Sequence, residues 1–166
     1  GFTYRPPQQM LEPDFFAKFP PATMETRVLL WDMLSVEVWA WEHFDQLQLN
    51  RPFRPSPKGG SYQLPGVGAF SDKQALTWLG NSERNNERCA LIHVESYFNP
   101  FEVKAGPVNV KGRTHYWAHI WVSLEDKQME HALLREDGIT AITQPGQTEP
   151  LWVNALRTIT VEKRTN

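Results

Sequence analysis

The chain has 166 residues, 40% hydrophobic and 22% charged, enough for one domain with a core of its own. A formal net charge of −2 and a pI near 6.2 supply no global basic field for nucleic acid or an anionic membrane. No apolar run approaches the roughly 18–20 residues that cross a bilayer as a helix. Cys89 stands alone, so no internal disulfide forms and cysteine usage does not choose between compartments.

The chain opens at Gly1 without Met or a signal-like segment, as a processed or excised piece would, which leaves room for an anchor removed from its amino terminus. Residues 1–22 carry Pro6, Pro7, Pro13, Pro20 and Pro21 and read as an extended arm, because proline fixes φ and bars a long helix. Thr23 is a suitable N-cap with Glu25 in the first turn. The spacing of Leu30, Leu34, Val38 and Trp41 then predicts a helix over about 24–48, with apolar residues spilling past that stripe at Leu29, Met33, Val36 and Trp39. A helix apolar on most sides is buried on most sides or faces a partner, and His43 on it reads as a core or rim histidine.

Residues 50–70 are rich in Pro and Gly and read as a long structureless connector. Gly66-Val67-Gly68 lacks a preceding strand and a third glycine, which excludes a dinucleotide loop. Ser71-Asp72-Lys73-Gln74 has the capping-box pattern and predicts a short second helix holding Ala75, Leu76, Trp78 and Leu79. Strands are expected near 89–98, 101–111, 113–124, 138–143 and 151–163, with turns at Lys111-Gly112-Arg113 and Gln144-Pro145-Gly146-Gln147. Asp126–Asp137 mixes both charges and reads as a solvated connection.

Period-two alternation separates the faces of these strands. Ala90, Ile92, Val94 and Phe98 share one side, as do Tyr116, Ala118, Ile120 and Val122. The opposite side mixes rings with polar groups: Leu91, His93, Glu95 and Tyr97, then His115, Trp117, His119 and Trp121. The aliphatic side is the expected seat of the long helix, and the mixed side is where specific recognition would occur. His93, Glu95, His115 and His119 have the side chains of a zinc or iron site, but the two-His, Glu and Gly pattern of cupins is absent. A His beside Glu95, flanked by Tyr97 and Trp117, would suit proton transfer. A surface of rings and histidines packing against a loop or a partner is the simplest account. No serine lies in a GxSxG or SxxK context, and Cys89 reads as a small buried hydrophobe.

The order arm, long aromatic helix, short helix, curved antiparallel sheet resembles the nuclear-transport-factor-like cone fold over residues 24–163. The segment Trp152-Val153-Asn154-Ala155-Leu156-Arg157-Thr158-Ile159-Thr160-Val161 is similar to the last strand of periplasmic domains of bitopic assembly factors in type IV secretion and conjugation machines, with Ala155 where those have proline. That resemblance implies a non-enzymatic scaffold that forms homo-oligomers, contacts other machine components and is periplasmic or membrane-associated. A second branch of the fold resembles ketosteroid-isomerase-like and dehydratase-like enzymes, for which His93, Glu95, Tyr97, His115 and His119 are the acid–base candidates.

The expectation is thus one α+β domain over 23–166, its long helix and short second helix packed on a curved antiparallel sheet. It acts as a binding and assembly module without cofactor or metal, its partners being proteins rather than nucleic acid. Its contact residues are Trp39 and Trp41 on the helix and Trp117, Trp121 and Trp152 on the sheet, because Trp is enriched at interface hot spots.

Overall fold

A computed structural model describes Val36 and residues 43–55, 63–64, 68–69 and 74–163. Most of these form an open six-stranded antiparallel sheet. Its strands are β1 (Pro52–Phe53), β4 (Ala75–Arg84), β5 (Glu87–Ala105), β6 (Val108–Ser123), β7 (Met129–Thr143) and β8 (Leu151–Glu162), adjacent in that order. A separate pair joins β2 (Gln63–Leu64) to β3 (Gly68–Ala69) within the segment expected to be structureless.

From β4 onward each strand pairs with its successor, a meander whose links are short. Asn85 and Asn86, both at positive φ (52° and 62°), turn β4 into β5, the backbone that a two-residue hairpin requires. Gly106, at φ 59°, turns β5 into β6. The turn expected at Gln144–Gln147 is present, closed by the Gln147 N–H donating to the Gln144 carbonyl at 3.1 Å.

The core lies on one face of this meander. Ala90, Ile92, Val94, Tyr116, Ala118, Ile120 and Val122 are buried on it, as the alternation predicts, and Ala132 and Leu134 of β7 join them. Val36 is fully buried in the same cluster, and Phe44 and Leu47 pack against it. Burial pushes the Tyr116 phenol well above its ordinary value, with the Glu136 charge adding to the effect.

The expected α+β architecture is corrected. The described residues form a sheet, not a long helix and a short helix packed on a sheet, and the cone-like arrangement implied by the resemblance goes with it. The short second helix is strand β4. Its apolar residues Ala75, Leu76, Trp78 and Leu79 mimic helical spacing because the register with β5 shifts between Trp78 and Gly80, leaving Leu79 as an extra residue. A bulge breaks period two locally, and the resulting i, i+3, i+4 pattern looks helical.

The carboxyl end of the predicted long helix differs too. Phe44–Gln46 is a single 3-10 turn, Leu47 is extended, and Gln48 pairs with Arg51. Residues 24–42, Val36 apart, lie outside the described residues, as do the 1–22 arm, Trp39 and Trp41.

Three sheet boundaries also move. The predicted strands 89–98 and 101–111 are one strand up to Ala105, and Lys111-Gly112-Arg113 lies inside β6 rather than in a turn. Asp126–Asp137 is mostly β7, with Glu130 and His131 buried, not a solvated connection.

Candidate functional site

The mixed face is built by β5, β6, β7 and β8, because residues directly opposite in an antiparallel pair point to the same side. Register sets its rows. Leu91 lies opposite Trp121 and Trp121 opposite His131, which in turn faces Glu162. His93 faces His119, and His119 faces Leu133. Glu95 faces Trp117, and Trp117 faces Arg135.

The sequence candidates divide between two places. His93, Glu95 and His119 come together: His93 Nε2 is 3.8 Å from Glu95 Oε2, and the His93 and His119 rings are 4.9 Å apart. His115 lies beyond the Trp117 row, opposite Asp137, against the rings of Tyr97 (5.8 Å) and Phe98 (4.8 Å).

Four positions along strand β6 separate His115 from His119, and a bulge in β5 between Ser96 and Asn99 sets the rings that face His115. Buried Asn99 fixes the bulge: its amide donates to the carbonyls of Ser96 (3.0 Å) and Thr114 (3.1 Å) and its side-chain oxygen accepts from Ser96 Oγ at 3.0 Å. Phe98 takes a positive φ of 57° there and is exposed, with the Arg113 guanidinium over its ring at 5.4 Å. Phe98 was expected on the aliphatic side; the inserted residues reverse the alternation and turn it outward.

A second cluster was not legible in the sequence. His131 Nδ1 lies 3.3 Å from both an Arg84 nitrogen and Glu162 Oε1, and its ring meets Trp121 edge-on at 5.0 Å. The Arg84 guanidinium also sits over Trp121 at 5.8 Å, and the Trp121 indole N–H donates to Ser82 Oγ at 3.3 Å. The signal for it is the alternation His131, Leu133, Arg135, hidden among charges because a register shift between Trp121 and Val122 leaves Glu130 as an extra residue.

Burial, the charge of His93 and the charge of Arg135 hold His119 below its ordinary value. Burial and Arg84 do the same to His131, against the opposing pull of Glu162. The Tyr97 hydroxyl is raised by burial and by the Glu95 carboxylate. His119 and His131 are therefore neutral imidazoles at neutral pH, beside the cations Arg135 and Arg84.

Among the described residues the imidazoles do not gather a metal set. The group of three that comes within 4.8 Å is Glu87, Asp126 and Glu130, and a cation already serves it. The Lys163 ammonium is 2.8 Å from Asp126 and 2.5 Å from Glu130. Cys89 is buried nearby, its thiol pushed up by burial and by Glu130, as suits a core residue rather than a nucleophile.

Among the described residues, a small depression on this face is lined by Trp117, His119, Leu133 and Arg135. The exposed apolar surface is concentrated on β8 instead. Leu151 is 57% exposed, Trp152 65% and Leu156 77%, with Val153 between them at 39%. Of the three sheet tryptophans expected at an interface, Trp152 is exposed, whereas Trp117 and Trp121 are half-buried.

Comparison of the chain with protein-family models, curated proteins and solved structures found no match.

Proposed function

We propose that this domain is a non-enzymatic binding and assembly module that engages protein partners through β8. The carrying observation is the concentration of large exposed apolar side chains on that strand, with Leu156 77% and Trp152 65% exposed. Contiguous exposed apolar surface rimmed by polar groups marks interaction sites, and aromatic anchors dominate their energetics. On the side of Trp152 and Leu156 the strand also carries Asn154 between them and Thr158 and Thr160 beyond, while Leu151 and Val153 point to the other side.

The acid–base reading has less to draw on. His93 and Glu95 are neighbours, but small-molecule sites bury most of their ligand in a cavity, and among the described residues the depression beside them is small.

Photo-crosslinking tests the proposal. A photoreactive phenylalanine analogue replaces Trp152, and in a parallel protein replaces Lys104 near the β5–β6 turn, in the cells from which the chain comes. Discrete protein adducts from position 152 and none from position 104 are expected. Absence of adducts from position 152 overturns the assignment.

A further inference from the structure

We infer that the partner of β8 is β8 of a second copy, the two strands pairing antiparallel about a two-fold axis at Leu156 so that two sheets join into one. This rests on the binding-module reading and names the partner. Three observations carry it.

The first is that β8 is an edge with few of the usual defences. Among the described residues nothing pairs with its outer side, and its ladder to β7 runs without a break from His131–Glu162 to Ile142–Leu151. The β4–β5, β5–β6 and β6–β7 ladders all contain bulges. Edge strands that stay solitary are usually short, bulged, or armed with Pro or charged side chains. β8 is 12 residues long and contains neither Pro nor Lys, and Arg157, the charge in its interior, is paired with Glu136 of β7.

The second is the direction of its free backbone groups. The Lys163 N–H donates to the Glu130 carbonyl at 3.1 Å, so residue 163 points its polar groups inward to β7. Alternation along the unbroken ladder turns those of Trp152, Asn154, Leu156, Thr158, Thr160 and Glu162 outward. Leu156 lies near the middle of that row.

The third is self-complementarity, which a two-fold interface requires. Centred on Leu156, the strand sets Leu156 against its twin, Asn154 against Thr158, Trp152 against Thr160, and Val153 against Ile159. These are apolar, polar and aromatic–β-branched pairs of the kinds that stabilise antiparallel ladders. Arg157 falls opposite Ala155, so no like charges meet. Centring on Arg157 would oppose two guanidiniums, and centring on Ala155 would set Val153 against Arg157. Centring on Asn154 or Thr158 avoids such clashes but pairs less of the strand, which leaves the Leu156 register as the best matched.

Sedimentation equilibrium and engineered cysteines test this on the full chain. The unaltered protein is expected to be a dimer, and Leu156→Lys is expected to weaken it by at least roughly tenfold. Opposite residues in a hydrogen-bonded pair lie about 5.5 Å apart at Cα, within disulfide reach. Leu156→Cys should therefore cross-link to itself on oxidation, while buried Cys89 contributes nothing. Trp152→Cys should not, because eight residues of offset separate the two copies by about 27 Å. Mixed with Thr160→Cys protein, Trp152→Cys should cross-link again. A monomer, an unaffected Leu156→Lys dimer, or self-linking at 152 but not 156 overturns the inference. A monomer that still yields adducts to other proteins from position 152 leaves the binding-module reading standing and removes self-pairing alone.

Discussion

The Lys163 ammonium, one residue beyond β8, closes on the carboxylate of Glu130 at the start of β7 at 2.5 Å. Glu130 is 1% exposed, and Asn85 Nδ2 at 3.3 Å is its other side-chain partner. Removing one member of a buried pair strands the other charge, which costs more than the pair itself contributes. Lys163→Met is thus expected to destabilise the fold by about 3 kcal/mol, and adding Glu130→Gln to recover part of that loss. Urea midpoints of the two variants decide it. A single-variant loss under about 1 kcal/mol would show that solvent already screens Glu130.

Acid should weaken the sheet through His119 and His131. Both are held below their ordinary value, first by burial and then by neighbouring cations. The unfolded chain therefore binds more protons than the folded one from about pH 6.5 downward, and stability falls as pH drops through that window toward the folded values. Above it, the contribution is fully present. Denaturation midpoints between about pH 8 and about pH 5 should follow this course, with a shallower slope in His131→Gln. Because Glu162 opposes the shift at His131, Glu162→Gln should steepen it.

Trp121 and Trp152 were expected to behave alike at an interface, and the structure separates them. Trp152 is 65% exposed, so Trp152→Ser should change folding stability by no more than about 0.5 kcal/mol while reducing association. Trp121 is held by Ser82, Arg84 and His131, so Trp121→Ala should cost about 2 kcal/mol. Paired thermal melts and sedimentation runs distinguish the two; a large stability loss at Trp152 would place that ring in the core.

Gly112 makes room where two strands approach. A Cβ there would collide with the Ile139 carbonyl oxygen and stand 2.8 Å from the Phe101 ring, whereas at Gly138 the nearest atom would be 3.6 Å away. Gly112→Ala is expected to destabilise by about 1–3 kcal/mol. Gly138→Ala should be nearly neutral. Equal effects at both sites would mean that backbone entropy, not space, governs them.

Gly112 also shows where sequence reading fails. Lys111-Gly112-Arg113 has turn composition, yet its glycine serves a close approach between β6, Phe101 and β7. Asp126–Asp137 shows the converse. Its charges read as solvated, but Glu130 is buried because Lys163, 33 residues later, supplies the counter-charge. Neither partner is visible in the local sequence, since both arise from strand pairing. Of the candidate site, the sequence placed His93, Glu95 and His119 on one face. It could not add Arg84, His131 and Glu162.

The sequence alone determined what depends on the two-residue period of the strand. It separated Ala90, Ile92 and Val94, with Tyr116, Ala118, Ile120 and Val122, from the face of His93, His119 and Trp121, and it placed the Gln144–Gln147 turn. Side-chain alternation is a property of each strand's own backbone, so it can be read without a partner. Tertiary structure decided the rest: that Ala75–Arg84 is a strand, that Phe98 turns outward, and that Glu130 is buried. Each of these lies at or beside a bulge. A bulge inserts a residue relative to the neighbouring strand, so its position exists only once the strands have paired.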